Sequence, residues 1–260
     1  MYHSERGARL RIHMKLEDRT CLITGSSRGI GRGIAEELAN EGASVAINYR
    51  ASSGAAEEVV DGINTAGGSA MATQADVTDE AEVEAMHEEI EDRFGSVDIL
   101  VNNAGINVDT LFSEMTRAEW DRVIEVDLTG AFVCTKEFFD DVANAEEGRL
   151  INISSIVGKQ GNLGQANYAA AKSGMFGLTR TLALELADSG STANCVAPGF
   201  TATEMVEGIP ERVRERIQAE IPLGRFATVE EIACAVSFIA SPNASYITGE
   251  VLDVNGGMDL

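Results

Sequence analysis

Thr20-Cys21-Leu22-Ile23-Thr24-Gly25-Ser26-Ser27-Arg28-Gly29-Ile30-Gly31 is the stretch on which the fold turns. A short apolar, β-type run enters a glycine-punctuated turn, and the residues beyond it take helical spacing. Gly25 allows a sharp turn. Gly29 lets a backbone approach a pyrophosphate with no Cβ in the way, and Gly31 permits close packing of helix on strand. The helix N-terminus adds N–H donors and the positive end of its dipole. The spacing is G-x-x-x-G-x-G rather than the G-x-G-x-x-G of the common dinucleotide fingerprint. With Ser27, Arg28 and Ile30, the three glycines form a candidate phosphate loop.

Outward from this turn the chain alternates. Strands are expected at Thr20–Thr24, Ser44–Asn48, Ala70–Gln74, Ile99–Asn102, Arg149–Ile153, Thr192–Val196 and Val251–Val254. Helices are expected at Ile30–Asn40, Gly54–Ala66, Glu80–Phe94, Arg117–Asn144, Ala166–Leu186 and Val229–Ala240. Such alternation means βαβ units. The expected fold is α/β, a single-domain, Rossmann-like, doubly wound sheet of about seven parallel strands with helices on both faces. Its ligand site belongs at the carboxyl ends of the strands. Residues 14–260 read as one dinucleotide-binding domain. The polar, Gly/Pro-punctuated segment Thr201–Pro222 sits where a substrate lid would sit. Residues 1–13, with Arg6, Arg9 and Arg11 against Glu5, read as a disordered or spuriously translated extension ahead of Met14.

The chain has 260 residues, 44% hydrophobic and 24% charged, a composition that excludes intrinsic disorder. No apolar run reaches the ~18 residues of a membrane span, and no secretory signal is seen. Cys21, Cys134, Cys195 and Cys234 are widely spaced, which argues against a disulfide framework or a zinc site and suits a reducing, cytoplasmic interior. The formal net charge of −22 speaks against nucleic-acid or membrane binding. Lysine is scarce: Lys15, Lys136, Lys159 and Lys172 are the only four. An acidic, lysine-poor surface fits a halophile, because molar salt shortens the screening length to ~3 Å. Urea midpoints with and without molar KCl test that expectation; equal stability in both refutes it.

Charge also selects the cofactor. NAD sites place a carboxylate at the end of the second strand to hold the ribose 2′-hydroxyl. Here that end reads Ile47-Asn48-Tyr49-Arg50-Ala51-Ser52, with no acid. Arg50 and Arg28 suit a 2′-phosphate, so the expected cofactor is NADP(H).

A second constellation follows the fifth strand. Ser155 stands just beyond it; Tyr168 and Lys172 lie four residues apart in an alanine-rich helical segment, on one face. An unperturbed tyrosine, with a pKa near ~10, is a poor proton carrier at neutral pH. A neighbouring ammonium favours phenolate and makes the pair usable as an acid/base. Ser155 is placed to hydrogen-bond a reacting carbonyl oxygen. The plain alternative is an amphipathic helix with a snorkelling lysine.

Over Lys15–Leu260 the sequence resembles the short-chain dehydrogenase/reductases. Thr24–Gly31 resembles their cofactor loop, Asp76-Val77 their adenine-contacting pair, and Asn102-Asn103-Ala104-Gly105 their fourth-strand motif. Ser155, Tyr168 and Lys172 match their catalytic residues; Pro198-Gly199, Thr201 and Thr203 match the segment beside the nicotinamide carboxamide. Tyr168 and Lys172 are implied to touch the cofactor too. One position departs. The family's fourth catalytic residue is usually an asparagine acting through its main-chain carbonyl on a water bonded to the lysine, and here the aligned residue is Asp127.

Within the family the likeness is to β-ketoacyl thioester reductases, through Ile151–Lys172, Val196–Phe200, Tyr246–Gly249 and Val254–Met258. That implies reduction of a 3-oxoacyl thioester to the (R)-3-hydroxyacyl product, and a homotetramer built from the helices bearing Asp127 and Tyr168. Two carriers stay open, coenzyme A and acyl carrier protein. An acidic surface docks an acidic carrier poorly, although Arg122, Arg180 and Arg212/Arg214/Arg216 are docking candidates. The sequence therefore leans slightly to acetoacetyl-CoA, feeding polyhydroxyalkanoate storage. A family reductase of another alcohol or ketone, and a non-catalytic cofactor-binding member, are the remaining readings; the intact Ser155, Tyr168 and Lys172 speak against the last.

Overall fold

β1 (Thr20–Ile23), β2 (Ser44–Tyr49), β3 (Ser69–Gln74), β4 (Ile99–Asn102), β5 (Arg149–Ile153), β6 (Thr192–Pro198) and β7 (Val251–Val254) form one sheet. Its order is 3-2-1-4-5-6-7, and every neighbouring pair is parallel. The structure, a computed structural model, describes residues 16–203 and 210–260. The expectation for residues 1–13 and the middle of the 201–222 segment lie outside the described residues.

The strands pair because they are apolar on both faces. Every residue of β1, β4, β5 and β6 is buried, the pattern of a parallel sheet covered by helices on each side. One face packs on α1 (Gly29–Asn40), α2 (Ser53–Thr65) and α10 (Val229–Ala240), around Ile23, Ile34, Leu38, Val59 and Val236. The other packs on α3 (Glu80–Phe94), α5 (Gly130–Glu137) and α8 (Ala166–Leu186), around Leu22, Met86, Ile90, Phe138, Leu150 and Leu186. Each such side chain contributes about 1.5–3 kcal/mol when fully buried. Capping boxes start α4 (Arg117–Ile124), with Thr116 and Glu119, and α10, with Thr228 and Glu231. Each supplies acceptors to amides that would otherwise be orphaned.

The order reverses between β1 and β4. That crevice brings the loop after β1 against the loop after β4, the place where open α/β sheets bind ligands.

The continuous helix expected over Arg117–Asn144 is not formed. α4 passes into a π-helical turn at Glu125–Thr129, then α5, and breaks at Phe138 before α6 (Phe139–Asn144). The reason is tertiary. The turn carries Asp127 inward to a buried lysine, and at Gly130 a Cβ would sit 2.7 Å from Val77 Cγ2. The expected lid is not loop throughout either. It contains α9 (Glu211–Glu220), a helix with no buried residue. A short helix, α7 (Val157–Gln160), stands between Ser155 and Tyr168. No described helix is long and apolar enough to cross a membrane.

Candidate active site

The phosphate loop is held from behind and open in front. Gly25 and Gly29 have φ of +62° and +57°, a region that only glycine enters readily. Asn48 at the end of β2 accepts from the Gly25 N–H at 3.0 Å and donates to the Ala75 carbonyl at 3.1 Å. From the β4 side, Asn103 donates to the Thr24 and Gly25 carbonyls at 2.8 and 3.1 Å, while the Thr24 hydroxyl accepts the Asn103 and Ala104 N–H groups. A Cβ on Gly25 would meet Ala104 Cα at 2.9 Å, and one on Gly31 would collide with Asn103. Gly31 thus packs against the fourth-strand loop as well as the turn after its own strand, where the same Cβ would stand 2.8 Å from the Gly25 carbonyl oxygen and 2.9 Å from Ser26 Cα. A Cβ on Gly29 would meet nothing nearer than the Thr203 methyl at 4.0 Å. The amides at the start of α1 face that opening, with no side-chain cap and no acid in the first turn. A pyrophosphate fits such a cradle, since bare N–H groups and a positive dipole end meet it without a competing carboxylate.

Arg28 is exposed at the mouth of the loop and makes no ion pair among the described residues. Arg50 lies 3.5 Å from the Asp76 carboxylate. Burial works to raise the Asp76 carboxyl, but the Thr78 N–H and hydroxyl and the Arg50 guanidinium outweigh it and hold it below the usual range. The Val77 side chain is buried against Gly130 instead of facing the crevice, so only its main chain is available to an adenine. Tyr49 and Ile30 are partly buried beside the loop. Pro198 and Gly199 end β6. The Pro198 carbonyl accepts from Ile156 N–H at 2.9 Å, and Thr201 bridges to Ala227.

Ser155, Tyr168 and Lys172 are brought together by three ties. The Ser154 hydroxyl donates to the Lys172 carbonyl at 2.7 Å, fixing α8 to the end of β5. Asn167 donates to the Val108 and Glu119 carbonyls, fixing the start of α8 to the loop after β4 and to α4. α7 lies so close that a Cβ on Gly158 would meet the Lys172 main chain at 2.9 Å. The Ser155 oxygen accepts from Val157 N–H at 3.1 Å, which leaves its hydroxyl proton to donate elsewhere. Tyr168 is partly exposed, with Lys172 Nζ 5.5 Å from its ring centroid.

Lys172 is buried. Its ammonium donates to the Ile153 carbonyl at 3.1 Å and lies 3.2 Å from Asp127 Oδ2. Asp127 Oδ1 accepts from Ile106 N–H at 2.7 Å. Oδ2 is within ion-pair distance but off the line of a hydrogen bond. Burial works against the charge of Lys172, yet the Asp127 carboxylate overcomes it and holds the ammonium above its ordinary range. Burial also lifts the Asp127 carboxyl, opposed by Lys172 and the Ile106 amide. The ammonium–carboxylate form is the one that matches an oxygen already accepting an amide proton.

Sequence reasoning missed Asn48, Ser154 and Asn167 as supports, and a buried chain from Thr135 through Asn102 and Asn152 to Thr179, each link 2.8–2.9 Å. The available signal was asparagine at the carboxyl ends of otherwise apolar strands, where an unpaired amide is costly.

A family model described as enoyl-(acyl carrier protein) reductase matches residues 25–259. The chain is 48% identical over 240 residues to a 3-oxoacyl-[acyl-carrier-protein] reductase of Staphylococcus aureus, covering 92% of this chain and 98% of that one. It is 46% identical to the protein of that name from Vibrio cholerae over 245 residues, 94% of this chain and 99% of the other. The crystal structure of a dehydrogenase/reductase from Sinorhizobium meliloti superposes with a TM-score of 0.91 at 35% identity, over 95% of this chain and 98% of that one.

Proposed function

Because the chain belongs to the short-chain dehydrogenase/reductase family and is an oxidoreductase, we propose that it reduces the 3-keto group of an acyl thioester carried on acyl carrier protein, with NADPH as reductant. The observation that carries the reading is Tyr168 backed by a buried ammonium, with a serine hydroxyl free to donate one residue beyond the tie of Ser154 to Lys172. The names of the relatives favour the carrier-protein thioester. They reverse the lean toward acetoacetyl-CoA and polyhydroxyalkanoate storage that surface charge suggested.

When bound, the reduced nicotinamide supplies the hydride. Everything else falls to the chain. Gly25, Ser27, Gly29 and Gly31 shape the cradle, Arg28 and Arg50 hold the 2′-phosphate, and Asp76 with the main chain of Val77 faces the adenine. Asn103, Ala104 and Gly105 wall the crevice, with Pro198, Gly199, Thr201 and Thr203 on its far side. Ser155 donates to the keto oxygen and holds it beside Tyr168. The Tyr168 hydroxyl gives that oxygen its proton, a step worth roughly 10²–10⁴-fold for a positioned acid. Lys172 offsets the charge left on the phenol. Arg122 and Arg180 are exposed and make no ion pair among the described residues, which leaves them to an acidic carrier. Phe132 on α5 and Leu184 on α8 are 51% and 79% exposed, apolar surface that self-association through these helices would cover.

The test is NADPH oxidation in molar KCl with acetoacetyl thioesters of acyl carrier protein and of coenzyme A, with NADH beside it. Turnover with NADPH and a higher kcat/KM for the carrier-protein thioester is expected. Bound NADPH with no turnover of either thioester rejects the substrate. A higher kcat/KM for the coenzyme A thioester rejects the carrier.

A further inference from the structure

Asp127 is fully buried, and three features commit its carboxylate to Lys172. The π-helical turn Glu125–Thr129 aims the side chain inward. Ile106 N–H fixes one carboxylate oxygen at 2.7 Å, which leaves the other 3.2 Å from Nζ. The space it occupies exists because residue 105 is glycine: a Cβ there would stand 2.8 Å from Oδ2 and 3.3 Å from Nζ. A buried carboxylate is costly unless it is paired, and this one is set directly against the lysine that backs the tyrosine.

We propose that Asp127 is a positioning residue which neutralises Lys172 in place, so that Tyr168 faces a dipolar pair instead of a bare cation and keeps its proton to higher pH. A bare ammonium favours phenolate; the carboxylate behind it removes much of that field. The device suits an acid that must donate a proton to a ketone, and it narrows the pH range in which the same tyrosine could accept one from an alcohol. It rests on the reading of Tyr168 as the proton donor. The other titratable group facing Lys172 is the Cys195 thiol on β6, pushed up to about 12 by burial and therefore uncharged.

The test reads the tyrosine without substrate. The ultraviolet titration of phenolate is recorded as the difference between the native chain and Tyr168→Phe, and again between Asp127→Asn and the Asp127→Asn/Tyr168→Phe double variant. The asparagine variant is expected to form phenolate about one pH unit lower. The basic limb of ketone reduction should move down by the same amount, with kcat reduced above the shifted limb, nearly unchanged below it, and the thioester KM held within about twofold. An unmoved titration, or a shift to higher pH, overturns the proposal. Should Asp127→Asn not fold, Gly105→Ala displaces the carboxylate while keeping its charge, and a smaller downward shift is expected; no shift there is equally fatal. A shifted titration with no thioester turnover in any variant would remove the substrate and leave this inference standing.

Discussion

Arg50 at the end of β2 is 56% exposed and its partner Asp76 28%, whereas Lys172 and Asp127 are 4% and 0% exposed. Both are cation–carboxylate pairs at the carboxyl edge of one sheet, and both flank the crevice. The outer pair is screened by solvent, so its net worth is about 0–1 kcal/mol and either partner can turn to a ligand. The inner pair has given up its water, and removing one member strands the other. On the proposed function, selectivity for a charged ligand falls where charge is inexpensive to move, and proton chemistry where charge is fixed.

The largest expected effect breaks the inner region at its working end. Tyr168→Phe should lower kcat by roughly 10²–10⁴-fold, with NADPH affinity and melting temperature nearly unchanged; steady-state kinetics beside a melting curve checks both. Next is Lys172→Met, which leaves Asp127 buried and unpaired. It should cost about 3–5 kcal/mol in urea unfolding. Lys172→Met/Asp127→Leu should recover much of that loss while activity stays absent. A double variant no more stable than the single one would place the cost elsewhere.

The outer region is broken more gently. Arg28→Ala and Arg50→Ala should each raise the KM for NADPH about tenfold, the loss of one charge-assisted hydrogen bond. The KM for NADH should change little, which separates a phosphate contact from a general loss of fold.

A smaller effect tests an intermediate case. His87 on α3 is partly buried, with Nδ1 2.8 Å from Glu137 and Nε2 3.1 Å from Asp141, across the break between α5 and α6. Burial works to lower its pKa, but the two carboxylates outweigh this and raise it above 6.5. A raised folded pKa means that the stabilisation is complete below about 6.5 and lost as pH rises through the folded value. Urea midpoints should therefore decline above pH 6.5 in the native chain and flatten in His87→Gln. Partial exposure limits the difference to about 1 kcal/mol.

The sheet was legible because each strand is a short apolar run between helices of clear period: six of the seven expected strands begin at the observed residue, and β3 begins one residue earlier than expected. The positions of the phosphate loop, Ser155, Tyr168 and Lys172 at strand ends or on one helix face were legible from the strand–helix alternation around them together with the resemblance to a family, their spacing alone being common. The π-turn was not. Glu125-Val126-Asp127-Leu128-Thr129 has ordinary helical character, and what unwinds it is a lysine on another helix. Helix α9 was hidden for the opposite reason: it buries no residue, so no apolar stripe announces it, and only Pro210 just ahead of it marks a helix start. The pairing of Arg50 with Asp76 was not legible because the two lie just beyond the ends of adjacent strands, brought together only by the parallel register of β2 and β3.

The π-turn also makes the length of this segment part of the site. It holds one more residue per turn than an α-helix would, so α5 is rotated by about 100° from where a regular helix would carry it. Deleting Val126 or Leu128 would let the backbone relax into a regular helix from α4 into α5, with full circular-dichroism signal. The carboxylate would then swing off the lysine, and Phe132 and Val133 would exchange inner and outer places. Here the count of residues, as much as their kind, is what the site requires.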